Sequence, residues 1–524
     1  MVPAADWLGG EIRDPRPAVL LMATVLAAVL RIYSLGDHPL WIDEYLTWKF
    51  LRPAGDGASL WTQLRDSFQS PLTIALLWPL SRGACSEFWL RLPGALAGIA
   101  TVPLGALLAA RLAGRRTGEW AALLLAVQPF MIWHSQEARG YALTMLLITG
   151  ASLLLVRMIR RGPDTATAVG YGLTAGLAVL ANNSALFMVV AHGLSVLVLA
   201  RPRRTADWGR WALAFSLAVV VTAPWLLKAS GILAVERLAP GVAMGEALRQ
   251  DSTFTPWALP FAAHSIVYGY TLGPSLTELH GADRLDVVVS WLPLLAPAGL
   301  LAVLLVFGGL WRMPRRSGIA VSIWILIPLC AVVLLSMRNV KAFNVRYLAA
   351  IVPVVVMLAS RGIVHLRYGR WLGLAMLGLV LASLGGYYGS ERYAREDLRT
   401  VARIIEERAG PNDVVLVPVV GDLYAHYQQT DMRVEPFWGC PRIHERQQAL
   451  TALNERIDGA DRAWLVLCRA WDLDPRDLLP GALSELGQVD GRFGAAGVRV
   501  FSWRPSSAPS GESAEPIMDT ETRP

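Results

Sequence analysis

Long apolar runs recur through the first 390 residues of this chain and constrain its fold more than any other feature. A helix needs about 20 apolar residues to cross the hydrocarbon core of a membrane. Eleven stretches are candidate spans of this kind: 18–35, 91–110, 119–134, 140–157, 167–182, 184–200, 211–228, 288–310, 318–336, 346–360 and 371–388. Two shorter apolar stretches, 71–82 and 259–273, are candidate spans, re-entrant segments or interfacial helices. The sequence predicts a polytopic α-helical membrane protein with about 11–13 transmembrane helices.

The charged residues divide the chain into parts. They make up 17% of the 524 residues, and the deficit ends near residue 390. An ordinary soluble domain has about 25%. The predicted parts are a cytoplasmic N-terminus at 1–17, a transmembrane domain at 18–389 with an outer loop at 36–70, a soluble domain at 390–505 and a disordered tail at 506–524.

The soluble part carries mixed periodicity. Residues 391–411 have a helical pattern that Gly410-Pro411 ends, and strand patterns follow at 414–420, 464–468 and 497–503. Alternating helices and strands favour a small α/β domain. The same part contains Cys440 and Cys468, which are a candidate disulfide pair if it faces an oxidising compartment.

Arginine clusters orient the spans. They account for much of the net charge of +7 and lie between apolar stretches, at 111–116, 157–161, 201–210, 312–316 and 361–370. Short basic loops are typical of the cytoplasmic face. This rule places the loop 36–70 and the C-terminal domain outside, in a multi-pass protein that we expect in the cell (inner) membrane. A full crossing by 71–82 would put the first cluster outside, so a re-entrant or partial segment is favoured. No separate basic domain indicates nucleic-acid binding.

The acidic pair Asp43-Glu44 follows the first predicted span, within HPLWIDEYLTW. It is either a solvated pair among interfacial aromatic residues or a functional site. In a site, a carboxylate would act as a general base or would bind Mg²⁺ or Mn²⁺, with Asp43 as the candidate ligand.

Three later segments are also predicted to lie on the outer side. The first is WHSQEARGY at 133–141, in which Gln136, Glu137, Arg139 and Tyr141 could line a polar cavity. The second is the polar and aromatic loop 268–280. The third is 338–347, which places three cations, Arg338, Lys341 and Arg346, on the side where the positive-inside rule disfavours them. Arg and Lys in such a loop could bind a phosphate or pyrophosphate at the lipid surface.

Five segments, in this order along the chain, resemble one group of proteins. They are the acidic pair, RLPGALAG at 91–98, QPFMIWHSQEARGY at 128–141, YGYTLGPSLTELH at 268–280 and NVRYLAAIVP at 344–353. The proteins of this group are the bacterial membrane glycosyltransferases of the GT-C superfamily, relatives of protein O-mannosyltransferases and lipid A aminoarabinose transferases. The chain departs from the mannosyltransferases at Gln69-Ser70-Pro71, where they often carry His-Pro-Pro.

The resemblance implies a membrane glycosyltransferase that moves a sugar from a polyprenyl-phosphate donor to a protein, lipid or glycan acceptor on the extracytoplasmic face, with inversion. It implies Asp43, Glu44 and Glu137 as catalytic residues, with a divalent cation as a candidate cofactor. The expected substrate-binding residues are Tyr45, Gln69, Gln136, Arg139, Tyr141, Tyr270, Arg338, Lys341, Arg346 and Tyr347. A transporter of lipid-linked sugars and a non-catalytic membrane scaffold are the alternatives.

Overall fold

The computed structural model describes residues 13–51, 59–66, 69–82, 86–200, 205–238, 254–280, 284–338, 343–437 and 440–505. Several predictions fall partly or wholly outside these ranges, among them the outer loop 36–70 at residues 52–58 and 67–68 and the soluble domain at 438–439. The others are the N-terminal segment 1–17 up to residue 12, Lys341, and the tail 506–524.

Helices make up the first part of the chain. They are α1 (Pro17–Ile32), α2 (Ile42–Leu51), α3 (Leu60–Asp66), α4 (Pro71–Leu77), α5 (Glu87–Ala113), α6 (Arg115–Val127), α7 (Pro129–Ser135), α8 (Tyr141–Arg161), α9 (Thr165–Ala181), α10 (Ala185–Leu199), α11 (Thr205–Leu238), α12 (Ala258–Tyr268), α13 (Leu276–Leu279), α14 (Arg284–Trp311), α15 (Arg315–Met337), α16 (Val352–His365) and α17 (Gly369–Gly389). A 3₁₀ helix, Val345–Ile351, leads into α16. Each of the eleven predicted spans overlaps one or two of these helices.

The apolar helices confirm the polytopic helical fold. Within the described ranges, seven helices are long and apolar enough to cross a membrane, and five further apolar helices have 10–17 residues. The short stretch at 71–82 forms α4 and a 3₁₀ turn, Trp78–Arg82. At about 1.5–2 Å per residue it extends for roughly 20 Å, less than the ~30 Å of hydrocarbon core. It is therefore too short to cross fully.

Exposed tryptophans mark the two ends of the long helices. Trp208, Trp311 and Trp371 adjoin the arginine clusters and are 52%, 88% and 60% exposed. Trp89 lies at the end of α5 opposite Arg111 and is 50% exposed, and Trp257, which precedes the short helix α12, is 79% exposed. Tryptophan collects at both interfaces of a membrane because its ring is apolar and its N–H is polar. The two sets are the pattern expected of a membrane-spanning helical domain.

The C-terminal part is an α/β domain. It contains α18 (Leu398–Glu406), β1 (Val414–Val417), α19 (Gly421–Tyr427), β2 (Arg433–Pro436), α20 (Arg446–Ile457), β3 (Ala463–Cys468), α21 (Leu479–Leu486), β4 (Gln488–Ala495) and β5 (Val498–Arg504). The strand order is β2-β1-β3-β5-β4, with β1 parallel to β2 and β3, and β5 antiparallel to β3 and β4. Strands β2 and β4 were not predicted from the sequence, since both lie at the sheet edges.

The helix predicted over 391–411 is shorter in the structure. Residues Glu391–Tyr393 form one 3₁₀ turn, and α18 begins only at Leu398. Asp397 caps this helix, because its side chain accepts hydrogen bonds from the backbone N–H and the hydroxyl of Thr400. Residues 394–397 therefore lie outside the helix, and their backbone groups can bind other parts of the structure.

Apolar packing joins the α/β domain to the membrane part. One face of the sheet, with Trp464 and Val466, shares a buried cluster with Leu40, Tyr45 and Leu90 of the membrane part. At about 25 cal/mol per Å² of apolar surface removed from water, such packing favours a fixed arrangement of the two domains.

The predicted disulfide between Cys440 and Cys468 is absent, and both thiols are free. Side chains alternate across a strand. Cys468 therefore packs with Val466 on the face toward the membrane part. Cys440 instead packs against the cluster of Leu465 and Leu467 on the opposite face. The sheet separates the two sulfur atoms.

Candidate active site

Helix α2 directs the two adjacent acids to different partners. Consecutive residues of an α-helix are about 100° apart, so neighbouring side chains diverge. Glu44 is turned inward and its side chain is fully buried, whereas the Asp43 side chain is 18% exposed. The pair that the sequence presents as one unit therefore occupies two environments.

Glu44 forms a buried ion pair with Arg91 of α5. The Nε and Nη2 groups of Arg91 donate to Oε1 and Oε2 of Glu44, each at 2.8 Å. The backbone N–H of Ala138 donates to Oε1 at 2.8 Å, and Nη1 of Arg395 donates to Oε2 at 3.2 Å. Burial would raise the pKa of Glu44, but Arg91 and Arg395 outweigh it and hold the pKa below its usual value. Glu44 is therefore an anion that does not face the solvent, and its catalytic role stays a prediction.

Arg91 also binds the turn that follows α1. Its Nη1 donates to the carbonyls of Leu35 and His38 at 3.1 and 2.9 Å, and its Nη2 donates to the carbonyl of Pro39 at 3.0 Å. One guanidinium thus fixes both the loop after α1 and the start of α2.

Asp43 pairs with Arg346, which follows it by 303 residues. Nη1 of Arg346 donates to Oδ2 of Asp43, and the guanidinium carbon lies 5.6 Å from the Trp41 ring centre and 5.7 Å from that of Tyr141. Burial would raise the pKa of Asp43, but the charges of Arg346 and Arg139 hold it below its usual value. The Asp43 carboxylate is therefore ionised at neutral pH.

Arg139 lies on the other side of Asp43. Its Nη1 donates to the backbone carbonyl of Asp43 at 3.3 Å, to the Thr47 hydroxyl at 3.4 Å and to the side-chain carbonyl of Gln69. Predicted residues from three distant segments are thus brought together around Asp43.

Glu137 accepts hydrogen bonds from two side chains, and one of these, His134, connects it to Tyr270. Nε1 of Trp133 donates to its Oε1, and Nδ1 of His134 donates to its Oε2, both at 2.8 Å. The hydroxyl of Tyr270 then donates to Nε2 of His134 at 3.3 Å. Burial, together with the charge of Glu137, raises the pKa of Tyr270 well above its usual value, so the phenol stays protonated.

Two glycines of RLPGALAG, in α5, let the segment 133–141 approach that helix closely. A Cβ atom at Gly94 would lie 2.9 Å from the carbonyl oxygen of Glu137, and one at Gly98 would lie 2.0 Å from Oγ of Ser135. Residues four apart share a helix face. A side chain at either position would push residues 135–137 away from Arg91.

The remaining predicted site residues have mixed positions. Tyr347 lies with its ring centre 5.9 Å from the Arg346 guanidinium carbon. Tyr45 instead faces the α/β domain, where it packs against Trp48 and His426. Gln136 binds the end of α1 through the carbonyls of Arg31 and Tyr33. Arg338 is exposed at the end of α15, and no hydrogen bond or ion pair is seen between it and the cluster in the described part of the chain.

A divalent cation does not fit the described donors. Mg²⁺ and Mn²⁺ prefer about six oxygen ligands. Both carboxylate oxygens of Glu44 and of Glu137 already accept N–H groups, and the neighbours of Asp43 are guanidinium groups. Within the described ranges, no three His, Cys, Asp or Glu side chains form a group that could hold a metal ion. In this arrangement Arg346 supplies the positive charge beside Asp43.

Sequence reasoning missed Arg91, His134 and Arg395. Arg91 is an arginine at the start of an apolar run, a placement that is costly unless the charge is paired, and this was a usable signal. His134 stands within the predicted segment 133–141. Arg395 lies in the segment 391–411 that the sequence predicts as a helix, and its burial depends on packing that the sequence does not reveal.

No family model matches this chain. No curated protein sequence matches it either. Among solved structures, ArnT from Cupriavidus metallidurans in the apo state has a TM-score of 0.52 at 14% identity, covering 92% of this chain and 97% of ArnT. The same enzyme bound to undecaprenyl phosphate has a TM-score of 0.50 at 16% identity, with the same coverage. Identities this low show a common fold, and the likeness extends over both the membrane part and the C-terminal domain.

The Arg91–Glu44 pair generates a prediction about stability. Arg91→Met leaves the buried Glu44 carboxylate with only Arg395 and the Ala138 N–H as partners, and it should destabilise the protein by about 3–5 kcal/mol. The measurement is thermal and denaturant unfolding of the purified chain in detergent. Arg111→Met in the same helix removes an exposed pair with Asp14 and should cost no more than ~1 kcal/mol. Adding Glu44→Leu to Arg91→Met should recover much of the loss. Wild-type stability of Arg91→Met would contradict this role.

Proposed function

Because this chain has the GT-C fold that its sequence resembles, we propose that it is a membrane glycosyltransferase with a polyprenyl-phosphate-linked sugar as its donor. The acceptor is a hydroxyl group of a protein, lipid or glycan at the extracytoplasmic face. ArnT, which shares the fold, has been crystallised with undecaprenyl phosphate, and this supports a lipid-phosphate donor.

One observation carries the proposal: the contact between Asp43 and Arg346 in a polar cluster at one end of the apolar helices. Nε of Arg346 and Nε1 of Trp41 are buried and have no hydrogen-bond partner among the described residues. Buried donors usually have partners, so unused ones beside a cation indicate a place for an anion. A phosphate fits them, because a guanidinium can bind its oxygens in a forked geometry.

The membrane setting fits the same donor. A polyprenyl chain lies in the hydrocarbon region while its phosphate meets water. The cluster stands where α5 and α8 begin, and both helices are long and apolar enough to cross a membrane. The anomeric carbon, one bond beyond the phosphate oxygen, would then lie beside Asp43.

The reaction is a single displacement. The acceptor oxygen attacks the anomeric carbon, and the bond from that carbon to the phosphate oxygen breaks. The bonding electrons pass to the phosphate, and Arg346 stabilises the charge that grows there. The proton of the acceptor hydroxyl passes to Asp43 as the new bond forms. The products are an inverted glycoside and polyprenyl phosphate.

Asp43→Asn should lower kcat for transfer by about 10²–10⁴-fold, because an amide cannot accept the proton. The assay supplies undecaprenyl-phosphate sugars of several kinds to proteoliposomes and measures undecaprenyl phosphate release. Asp422→Asn removes an exposed acid of the α/β domain, paired with Lys49, and should leave turnover unchanged within about twofold. Wild-type turnover by Asp43→Asn would remove Asp43 from the mechanism.

Arg346→Met should weaken the binding of undecaprenyl phosphate by about 10–100-fold, the effect of losing a charged hydrogen bond. Binding is measured by titrating the purified chain with undecaprenyl phosphate, so the identity of the sugar does not matter. Arg338→Met is the comparison, since Arg338 is exposed and forms no hydrogen bond or ion pair with the cluster in the described residues. Equal losses in both variants would mean that charge alone, and not the site around Asp43, attracts the lipid.

Labelling tests the proposed side of the membrane. In a chain whose four cysteines are replaced, we expect Ser484→Cys in the α/β domain to react with an impermeant maleimide on intact cells. Thr165→Cys, at the start of α9, should react only after lysis. The reverse result would place the acidic cluster on the cytoplasmic side and overturn the extracytoplasmic reaction.

A further inference from the structure

Three arginines lie between the end of α17 and the first turn of α18. Each pairs with a carboxylate of the membrane part: Arg392 with Glu278 at 2.7 Å, Arg395 with Glu44 at 3.2 Å, and Arg399 with Glu87 at 2.5 Å. The segment is therefore held to three different stretches of the membrane part.

Arg395 differs from the other two in its burial. Its side chain is 5% exposed, against 40% for Arg392 and 42% for Arg399. Exposed ion pairs contribute little to stability, whereas a buried charge needs its partners. The burial of Arg395 therefore indicates a role other than surface attachment.

The guanidinium of Arg395 lies between two carboxylates and donates a hydrogen bond to one of them, Glu44. Its Nη1 lies 3.2 Å from Oε2 of Glu44, and its Nη2 lies 3.7 Å from Oε1 of Glu137. The guanidinium carbon lies 5.4 Å from the ring centre of Trp133. Glu44 belongs to the helix that carries Asp43, and Glu137 begins the chain through His134 to Tyr270. One side chain thus connects the two halves of the polar cluster.

The α/β domain fixes the residues that follow Arg395. The N–H of Asp397 donates to the carbonyl of Ala496 at 2.9 Å, and Nη1 of Arg469 donates to Glu396 at 3.4 Å. Ala496 lies in the turn between β4 and β5, and Arg469 follows β3. The position of Arg395 therefore depends on where this domain sits.

Resting on the proposed transfer reaction, we propose that Arg395 is a positioning residue for the site. Arg395 holds Glu137 and Glu44 in register, and through them His134–Tyr270 and Asp43, so the site is complete only when the α/β domain is docked. The C-terminal domain is then a part of the active enzyme and not an appended binding module.

The effect of losing Arg395 follows from its contacts. It has no hydrogen bond or ion pair with Asp43 or Arg346 in the described structure, so the donor should still bind. Without it, Glu137 loses its guanidinium neighbour, and the two halves of the cluster can shift. Small displacements of reacting groups lower kcat by up to about 100-fold.

The test uses Arg395→Gln, Arg395→Lys and Arg399→Gln in the full-length chain. Arg399→Gln is the matched control, since it removes the same charge from the same segment at an exposed pair. Each variant is measured for kcat and KM with the undecaprenyl-phosphate sugar that the wild type turns over, for undecaprenyl phosphate binding, and for hydrogen exchange in 133–141 and 36–51.

For Arg395→Gln we expect kcat to fall about 10–100-fold, KM and lipid binding to change less than about threefold, and exchange to rise in both segments. Arg395→Lys should recover part of kcat, because one ammonium cannot reach both carboxylates as a forked guanidinium does. Arg399→Gln should match the wild type in every measurement.

Two kinetic results would overturn the proposal. One is wild-type kcat for Arg395→Gln. The other is an equal loss for Arg399→Gln, which would make Arg395 one docking contact among several. If the wild type turned over no undecaprenyl-phosphate sugar, the transfer reaction would be wrong. Hydrogen exchange would then decide the positioning role alone: faster exchange confined to Arg395→Gln supports it, and unchanged exchange rejects it.

Discussion

The buried ion pair between Glu44 and Arg91 is the interaction on which the site depends. Moving two ions out of water costs several kcal/mol for each, and this cost is offset only where every donor finds an acceptor. Arg91 meets that condition, because it donates to both oxygens of Glu44 and to three carbonyls of the turn after α1. The path of the chain between α1 and α2 is thereby fixed by one side chain of α5.

This pair also assigns different roles to two neighbouring acids. Since Glu44 is anchored toward Arg91, the helix turns Asp43 toward Arg346 and the partly exposed side of the cluster. The described residues around the Asp43 carboxylate do not form a set of metal ligands, and Arg346 supplies the opposite charge. Both carboxylate oxygens of Glu44 accept hydrogen bonds that hold the fold together. Asp43 retains one carboxylate oxygen to which no described group donates, and this oxygen is available for chemistry.

Much of this arrangement could be predicted from the sequence, for physical reasons. Apolar length predicted the helices, because a membrane requires it, and the order of Asp43, Glu137 and Arg346 predicted a common outer cluster. The partners of these residues could not be predicted, since Arg91 and Arg395 meet Glu44 across 47 and 351 residues. The disulfide prediction was wrong because spacing along the chain does not reveal on which face of a sheet a cysteine lies.

The docking of the α/β domain combines two kinds of interaction with different consequences. Its apolar contacts with Leu40, Tyr45 and Leu90 favour association but do not depend on direction. The hydrogen bond from Arg395 to Glu44 does depend on direction, because a guanidinium donates in one plane. Apolar burial can therefore hold the domain against the membrane part while Arg395 sets its register. A small rotation that preserves the apolar contacts would still withdraw Arg395 from Glu44 and Glu137, and so the geometry of the site can respond to the position of the domain.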